Sequence, residues 1–391
     1  MLCRAGSSVV GRVASLLCGL LAVLICAAAT SACGRAWAVT AGRLGQPQAR
    51  FLSLAEGGVR EAQARWRDSR EGWYDELLSD RARYPLATIW DAVPLFQSID
   101  AIAIADPTRA HKQAVRRFAA GAERYLNRGL RPVPGYSPYP GDREENTETW
   151  FDDNGWWGIA FVEAYRATAN RRYLSDAQRA LRYVARDGWD SEGGGIWWNT
   201  THPYKSGPAL ASDTLLAVLL YQQTGSSFSL AQAHKFLAWA NSVAYVESEG
   251  LYEGSSIEPS PADYVESPMI YAQALLCRLK GEQSECEQAE SLERTALKRF
   301  GGMLDFAPQY DAIYLQWMLA LYGLDHDPRL YELAAQNARE ASERAANAQG
   351  LYLLSWRGSP LPASDASPGM LRTQAATASL FAWLAVYPPP S

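Results

Sequence analysis

Beyond its first fifty residues, the chain alternates between two hydrophobic patterns. One is apolar on nearly every face, as in Thr214-Leu215-Leu216-Ala217-Val218-Leu219-Leu220-Tyr221 and Ile313-Tyr314-Leu315-Gln316-Trp317-Met318-Leu319-Ala320-Leu321. The other is one-sided: Tyr173, Leu174, Ala177, Ala180, Leu181 and Val184 recur at helical spacing with Arg and Gln between them. A helix that is apolar all round is a buried one, and a helix with an apolar stripe faces solvent on its other side. The two kinds are joined by short polar turns: Ala105-Asp106-Pro107, Ala169-Asn170-Arg171, Thr224-Gly225-Ser226, Lys280-Gly281-Glu282 and Leu324-Asp325-His326-Asp327. These turns begin 64, 55, 56 and 44 residues apart, so the repeating unit is a helical hairpin.

The pattern predicts six apolar helices, at about 86–104, 150–168, 210–224, 266–280, 310–323 and 372–386. It predicts six amphipathic helices, at about 54–79, 108–126, 171–186, 228–244, 284–299 and 328–347. Strict alternation of six buried and six outer helices predicts an all-α (α/α)6 toroid. An open solenoid is the alternative, but an outer helix at the start and an inner one at the end suit a ring whose ends meet. The connections from outer to inner helices, 127–149, 187–209, 245–265 and 348–371, are long and rich in Pro, Gly and Trp. In a toroid they share one face, beside the N-termini of the inner helices, and long ordered connections tend to carry function.

The first residues read differently. Arg4 and Arg12 precede an uncharged apolar run over 13–29, which ends in small residues up to Ala32, as an export signal does. An uncleaved membrane anchor is the competing reading. Cys33 follows Ser31-Ala32 and precedes Gly34, as at a bacterial lipoprotein processing site, although Thr30 is not aliphatic; ordinary cleavage near Ala32 or Ala38 is the alternative. The expected organisation is a signal over 1–32, a linker over 33–50 and one toroid over 51–391, in a secreted or envelope protein, monomeric, with a lipid on Cys33 as its only route to a membrane. Cys277 and Cys286 are then the cysteines within the folded part, and their spacing suits a local disulfide between two helices.

Loss of Arg4 and Arg12 with the leader takes the formal charge from −5 to −7, and no basic stripe is present, which argues against nucleic acid as a partner. The four histidines, His111, His202, His234 and His326, are scattered, so neither metal nor cofactor is expected. Ser255-Ser256 lacks the setting of a nucleophilic serine. The 14 Trp and 20 Tyr residues suit sugar rings, whose C–H faces stack on aromatics.

At the entry to the second inner helix stands Trp150-Phe151-Asp152-Asp153-Asn154-Gly155-Trp156-Trp157. An Asp at a helix start is often only a cap, but one carboxylate is enough for that. Cleavage of a glycosidic bond needs two carboxyl groups in different protonation states. Repulsion between neighbours raises one, while helix-end N–H groups hold the other ionised. In the next long loop, Gly188-Trp189-Asp190 and Gly193-Gly194-Gly195-Ile196-Trp197-Trp198-Asn199-Thr200 suggest a tight hairpin, with one of the two tryptophans packed in the rim and the other facing ligand. Trp90 and Asp91, starting the first inner helix, and Tyr204, Tyr264 and Glu266 are further candidates for the same mouth, as are Asn154, Trp156, Trp197, Trp198 and Asn199. Capping is an equal alternative for Asp91 and Glu266, and Asp311 is a further acid of interest.

The elements Asp152-Asp153-Asn154-Gly155-Trp156, Ala164-Tyr165-Arg166-Ala167-Thr168, Gly188-Trp189-Asp190 and Gly193 to Thr200 resemble glycoside hydrolase family 76. The resemblance implies an (α/α)6 fold and retaining hydrolysis of α-1,6-mannan or a related mannose-rich glycan. It also implies Asp152 as nucleophile and Asp153 as acid/base. The chain departs from the family pattern at Tyr264-Val265-Glu266-Ser267, at Tyr310-Asp311-Ala312-Ile313 and after Lys205. Those departures keep two other readings open: a non-catalytic glycan-binding or wall-assembly protein, and a mannan transglycosylase.

Overall fold

The computed structural model describes residues 44–78, 86–358 and 369–390. The expected signal, Cys33 and most of the expected linker lie outside them. The described residues form twelve α-helices, alternately outer and inner. The outer ones are α1 (Gln46–Arg65), α3 (Arg109–Ala122), α5 (Arg172–Tyr183), α7 (Ser227–Trp239), α9 (Gln283–Phe300) and α11 (Pro328–Arg344). The inner ones are α2 (Ile89–Ala105), α4 (Phe151–Thr168), α6 (Gly207–Thr224), α8 (Asp263–Lys280), α10 (Pro308–Asp325) and α12 (Leu371–Val386).

Each inner helix packs on the next, and α12 packs on α2, so the ring is closed. Polar bonds mark the seam: Ser98 donates to the Ala375 carbonyl at 3.0 Å, and Gln48 Nε2 to the Ala385 carbonyl at 3.0 Å. Outer helix α1 therefore docks on the last inner helix. This is the (α/α)6 toroid that the alternating pattern predicts.

The turns below the ring explain the repeat. Helices α4, α6, α8 and α10 end on residues in the left-handed region: Ala169 (φ 58°), Gly225 (φ 68°), Gly281 (φ 70°) and His326 (φ 63°). A left-handed residue reverses the chain within one step and frees the next side chain to start the outer helix. The expected disulfide links Cys277 on α8 to Cys286 on α9.

The first outer helix departs from expectation. It starts at Gln46, within the stretch read as linker, with Pro47 in its first turn, where a missing N–H is harmless. It ends at Arg65 and not near 79. There the Asp68 carboxylate accepts the N–H groups of Arg70 (2.6 Å) and Glu71 (3.3 Å) and builds a turn between the short strands β1 (Arg67–Asp68) and β2 (Trp73–Tyr74). The apolar spacing of Trp66, Trp73, Tyr74 and Leu77 imitates a helix but belongs to this buried hairpin. Outer helices α5 and α7 likewise stop short and widen into single looser turns, Val184–Gly188 and Ala240–Ala244.

On the opposite face the long connections are braced by short ladders, β3 (Leu126–Asn127) with β4 (Gly135–Tyr136) and β5 (Tyr245–Val246) with β6 (Leu251–Tyr252). Among the described residues no helix is long and apolar enough to cross a membrane.

Candidate active site

The inner helices open on this face into a cleft of about 910 Å3. Asp152 and Asp153 lie on its wall, in the first turn of α4. The residue at the N-cap of α4 is Trp150, and its side chain makes no capping bond, so neither aspartate serves as the cap.

The connection 189–206 holds this helix start in place. Trp150 pairs with Asn199 in a β-bridge, Phe151 N donates to the Trp198 carbonyl at 3.0 Å, and Thr200 N donates to the Thr149 carbonyl at 3.1 Å. The glycine run makes the fit possible. Gly194 and Gly195 have φ of 72° and 79°, and a Cβ on them would come within 2.4 Å and 2.6 Å of the Trp239 ring. Only glycine combines that backbone with that approach.

The environment separates the two carboxyl groups. Burial raises Asp152 to about 7, restrained by the backbone N–H groups of Asp153 and Asp152. Asp153 is pushed well above the carboxylate range by burial, by the charge of Asp152 and by that of Asp91. As pH rises, Asp152 ionises first and Asp153 keeps its proton, which is the division of labour that glycoside cleavage uses. Oδ1 of Asp152 is buried and without a partner. Behind it lies Asp213 on α6, which Gly155 admits: a Cβ at 155 would meet Ser212 Oγ at 2.2 Å and Asp213 Cγ at 3.2 Å. Burial and then Asp152 raise Asp213 well above its ordinary value. No sequence pattern marks Asp213, because it acquires meaning only from the helix packed against it.

Aromatic rings flank the pair. Trp198 stacks on Tyr204 with centroids 5.2 Å apart and meets Trp150 edge-on at 5.9 Å. Across the cleft Tyr264 and Tyr310 are 4.6 Å apart, with Trp90 5.6 Å and Phe306 4.8 Å from Tyr310. Trp90, Trp198, Tyr204 and Tyr264 thus line the cleft, as do Tyr139, Tyr310 and Phe306, which the sequence reading did not select.

Six expected contact residues lie elsewhere. Asp91 accepts from Thr88 Oγ1 at 2.6 Å and Arg372 Nη1 at 2.7 Å, which occupies its carboxylate in capping α2 and pairing with α12. Asn154 clamps Tyr136 N and O, each at 2.9 Å, and fastens β4 to α4. Trp156 is wholly buried in the core. Trp197 stacks on His202 at 5.2 Å and carries the Lys205 ammonium 3.1 Å from its ring centre, so it is the tryptophan of the rim. Asn199 donates to Glu148 at 2.7 Å and accepts the Thr201 N–H at 2.9 Å. Glu266 is buried and accepts the Tyr252 N–H at 3.0 Å, behind the wall and not on it. Each is a polar or aromatic residue near the mouth whose partner is protein. Among the described residues no three His, Cys, Asp or Glu side chains converge as metal ligands do.

Residues 126–278 match the model of Glycosyl hydrolase family 76. Among curated proteins no sequence match is found. Several solved structures share the fold. A family 76 mannosidase from Bacteroides thetaiotaomicron superposes with a TM-score of 0.76 at 19% identity, covering 86% of this chain and 98% of that one. An inactive α-1,6-mannanase variant from Salegentibacter sp. HEL1_6, with two consecutive aspartates changed to asparagine and in complex with α-1,6-mannotriose, gives 0.69 at 18% identity and covers 86% and 99%. Dfg5 from Chaetomium thermophilum, in complex with glucosamine, gives 0.70 at 15% identity and covers 88% and 92%.

Proposed function

We propose that this chain, whose residues 126–278 match the model of Glycosyl hydrolase family 76, is a retaining endo-enzyme for α-1,6-linked mannan or a related mannose-rich glycan. Asp152 is the nucleophile and Asp153 the acid/base. The observation that carries the reading is the pair itself: two consecutive, differently titrating carboxyl groups on the wall of an aromatic cleft. The Salegentibacter mannanase made inactive at two consecutive aspartates supports it, as does the saccharide in that complex.

In this mechanism a sugar ring rests against the aromatic walls with its anomeric carbon over Asp152. The Asp153 O–H donates its proton to the departing glycosidic oxygen as Asp152 forms the bond to the anomeric carbon. Asp153, now ionised, takes a proton from water, which displaces Asp152 with a second inversion. The proposal extends to export, which the positive start and apolar run over 1–32 support, and to a monomer.

The test is hydrolysis of linear α-1,6-mannan, with product anomers followed by NMR. Asp152→Asn and Asp153→Asn should each lower kcat on the order of a thousandfold or more. Activity should rise with pH through about 7, where Asp152 ionises. Undiminished turnover in Asp152→Asn would falsify the mechanism. Longer chains in place of shorter ones would identify a transglycosylase.

A further inference from the structure

Opposite the catalytic pair, adjacent inner helices α8 and α10 bring a second pair of acids together: Asp263, the first residue of α8, and Asp311, in the first turn of α10. Both lie in the cleft wall, yet Asp263 is only 4% exposed and Asp311 1%. Their carboxyl groups hydrogen-bond to one another. Asp263 Oδ1 accepts the Tyr264 N–H at 2.7 Å, but no donor of the protein serves Asp263 Oδ2 or Asp311 Oδ1. Two acceptors stay in contact only with a proton between them.

The surroundings favour keeping that proton. Asp305 adds charge beside Asp311, and Glu266 and Tyr314 face Asp263 from behind. Tyr264 and Tyr310 adjoin from the cleft side, where the charges of Asp152 and Arg372 reach them; Arg299 is ion-paired with Glu249 and Arg372 with Asp91. Burial raises both carboxyl groups, and Asp263 raises Asp311 further.

Each acid is the chain neighbour of an aromatic residue of the wall: Asp263 precedes Tyr264, and Asp311 follows Tyr310. Those two rings are 4.6 Å apart. We propose that Asp263 and Asp311 are positioning residues whose shared proton joins the starts of α8 and α10, holding Tyr264 and Tyr310 as one surface for a sugar ring in the cleft. Loss of the proton leaves two buried carboxylates in contact, whose repulsion parts the helix starts and spoils the surface. Substrate affinity then falls more than the rate of the chemical step, because neither Asp263 nor Asp311 is a reacting group.

The proposal rests on the glycosidase reading for its substrate, so the test has two arms. In the first, KM and kcat for α-1,6-mannotetraose are measured from about pH 8 to about pH 11, across the value of about 10 to which Asp311 is raised, for the wild type, Asp311→Asn and Asp311→Leu. The catalytic pair titrates in all three, so the ratio between variants isolates the dyad. Wild-type KM should rise about tenfold relative to Asp311→Asn over this range, since the amide keeps a donor without titrating. Asp311→Leu should show the raised KM at every pH, with kcat within about twofold of Asp311→Asn. Identical KM for the Asn and Leu variants, or a constant ratio of wild type to Asp311→Asn across pH, overturns the proposal.

The second arm needs no turnover. The thermal midpoint of the wild type should fall, relative to Asp311→Asn, as pH rises through the same range, because a carboxyl raised on folding contributes stability that is lost as it ionises. Absence of mannan hydrolysis with this thermal difference intact would count against the glycosidase reading alone. Parallel midpoints would count against the dyad.

Discussion

The two walls of the cleft are built by different means. On one side, the start of α4 is pinned by backbone hydrogen bonds to the connection 189–206, so Asp152 and Asp153 sit on a scaffold that does not titrate. On the other, Tyr264 and Tyr310 are placed by helices α8 and α10, which meet at this end through carboxyl groups. A backbone ladder holds at any pH at which the protein is folded, whereas a shared proton is conditional. On the proposed reading, the chemistry stands on the rigid wall and the titratable wall holds substrate.

The contrast can be broken most severely at the glycine run. Gly194→Ala places a Cβ against Trp239 in a left-handed backbone, so we expect about 2–4 kcal/mol of lost stability. We also expect a fall in kcat exceeding any rise in KM, because the connection that pins α4 shifts. Chemical denaturation alongside steady-state kinetics checks this, and unchanged kcat would mean that the connection does not position the aspartates.

A smaller effect separates the walls by the substrate they hold. Trp198→Ala and Phe306→Ala each remove one aromatic face, and each should raise KM by about tenfold, corresponding to about 1.4 kcal/mol. For Phe306, which is 64% exposed at the outer end of the ring group formed with Tyr264 and Tyr310, the penalty should vanish on the shortest substrates. An equal penalty on short and long mannooligosaccharides would place Phe306 beside the cleaved bond instead.

The smallest effect belongs to the far face. Gly225 has φ of 68° and nothing within 4 Å of the position a Cβ would take, so Gly225→Ala should cost only the left-handed backbone, about 1–2 kcal/mol, without altering KM or kcat. A kinetic change there would show that the turns and the mouth are coupled.

Legibility followed the same division. The inner helices were readable because a helix buried on every side must be apolar on every side, and the turns were readable from Gly225, Gly281 and the polar residues around them. The end of α1 was not, because Trp66, Trp73, Tyr74 and Leu77 satisfy a helical spacing while folding as a hairpin. At the site, the place of Asp152 and Asp153 on the cleft wall was legible as adjacent acids next to tryptophans. The wider contact set was overread: Asp91, Asn154, Asn199 and Glu266 have the chemistry of ligand contacts, but their partners are Arg372, Tyr136, Glu148 and the Tyr252 backbone.

By itself, the order of apolar and polar residues determined that this chain is a ring of helical hairpins and that its long connections share one face. The reason is that burial is a property of each helix's own sequence and is periodic along it. Which acids meet was decided by the tertiary structure alone. Asp263 and Asp311 are separated by a whole outer helix, and Asp213 feels the charge of Asp152 from a neighbouring helix whose close approach Gly155 allows. Contacts between side chains on different helices depend on the rotation and depth at which those helices pack. No local pattern in the chain encodes these.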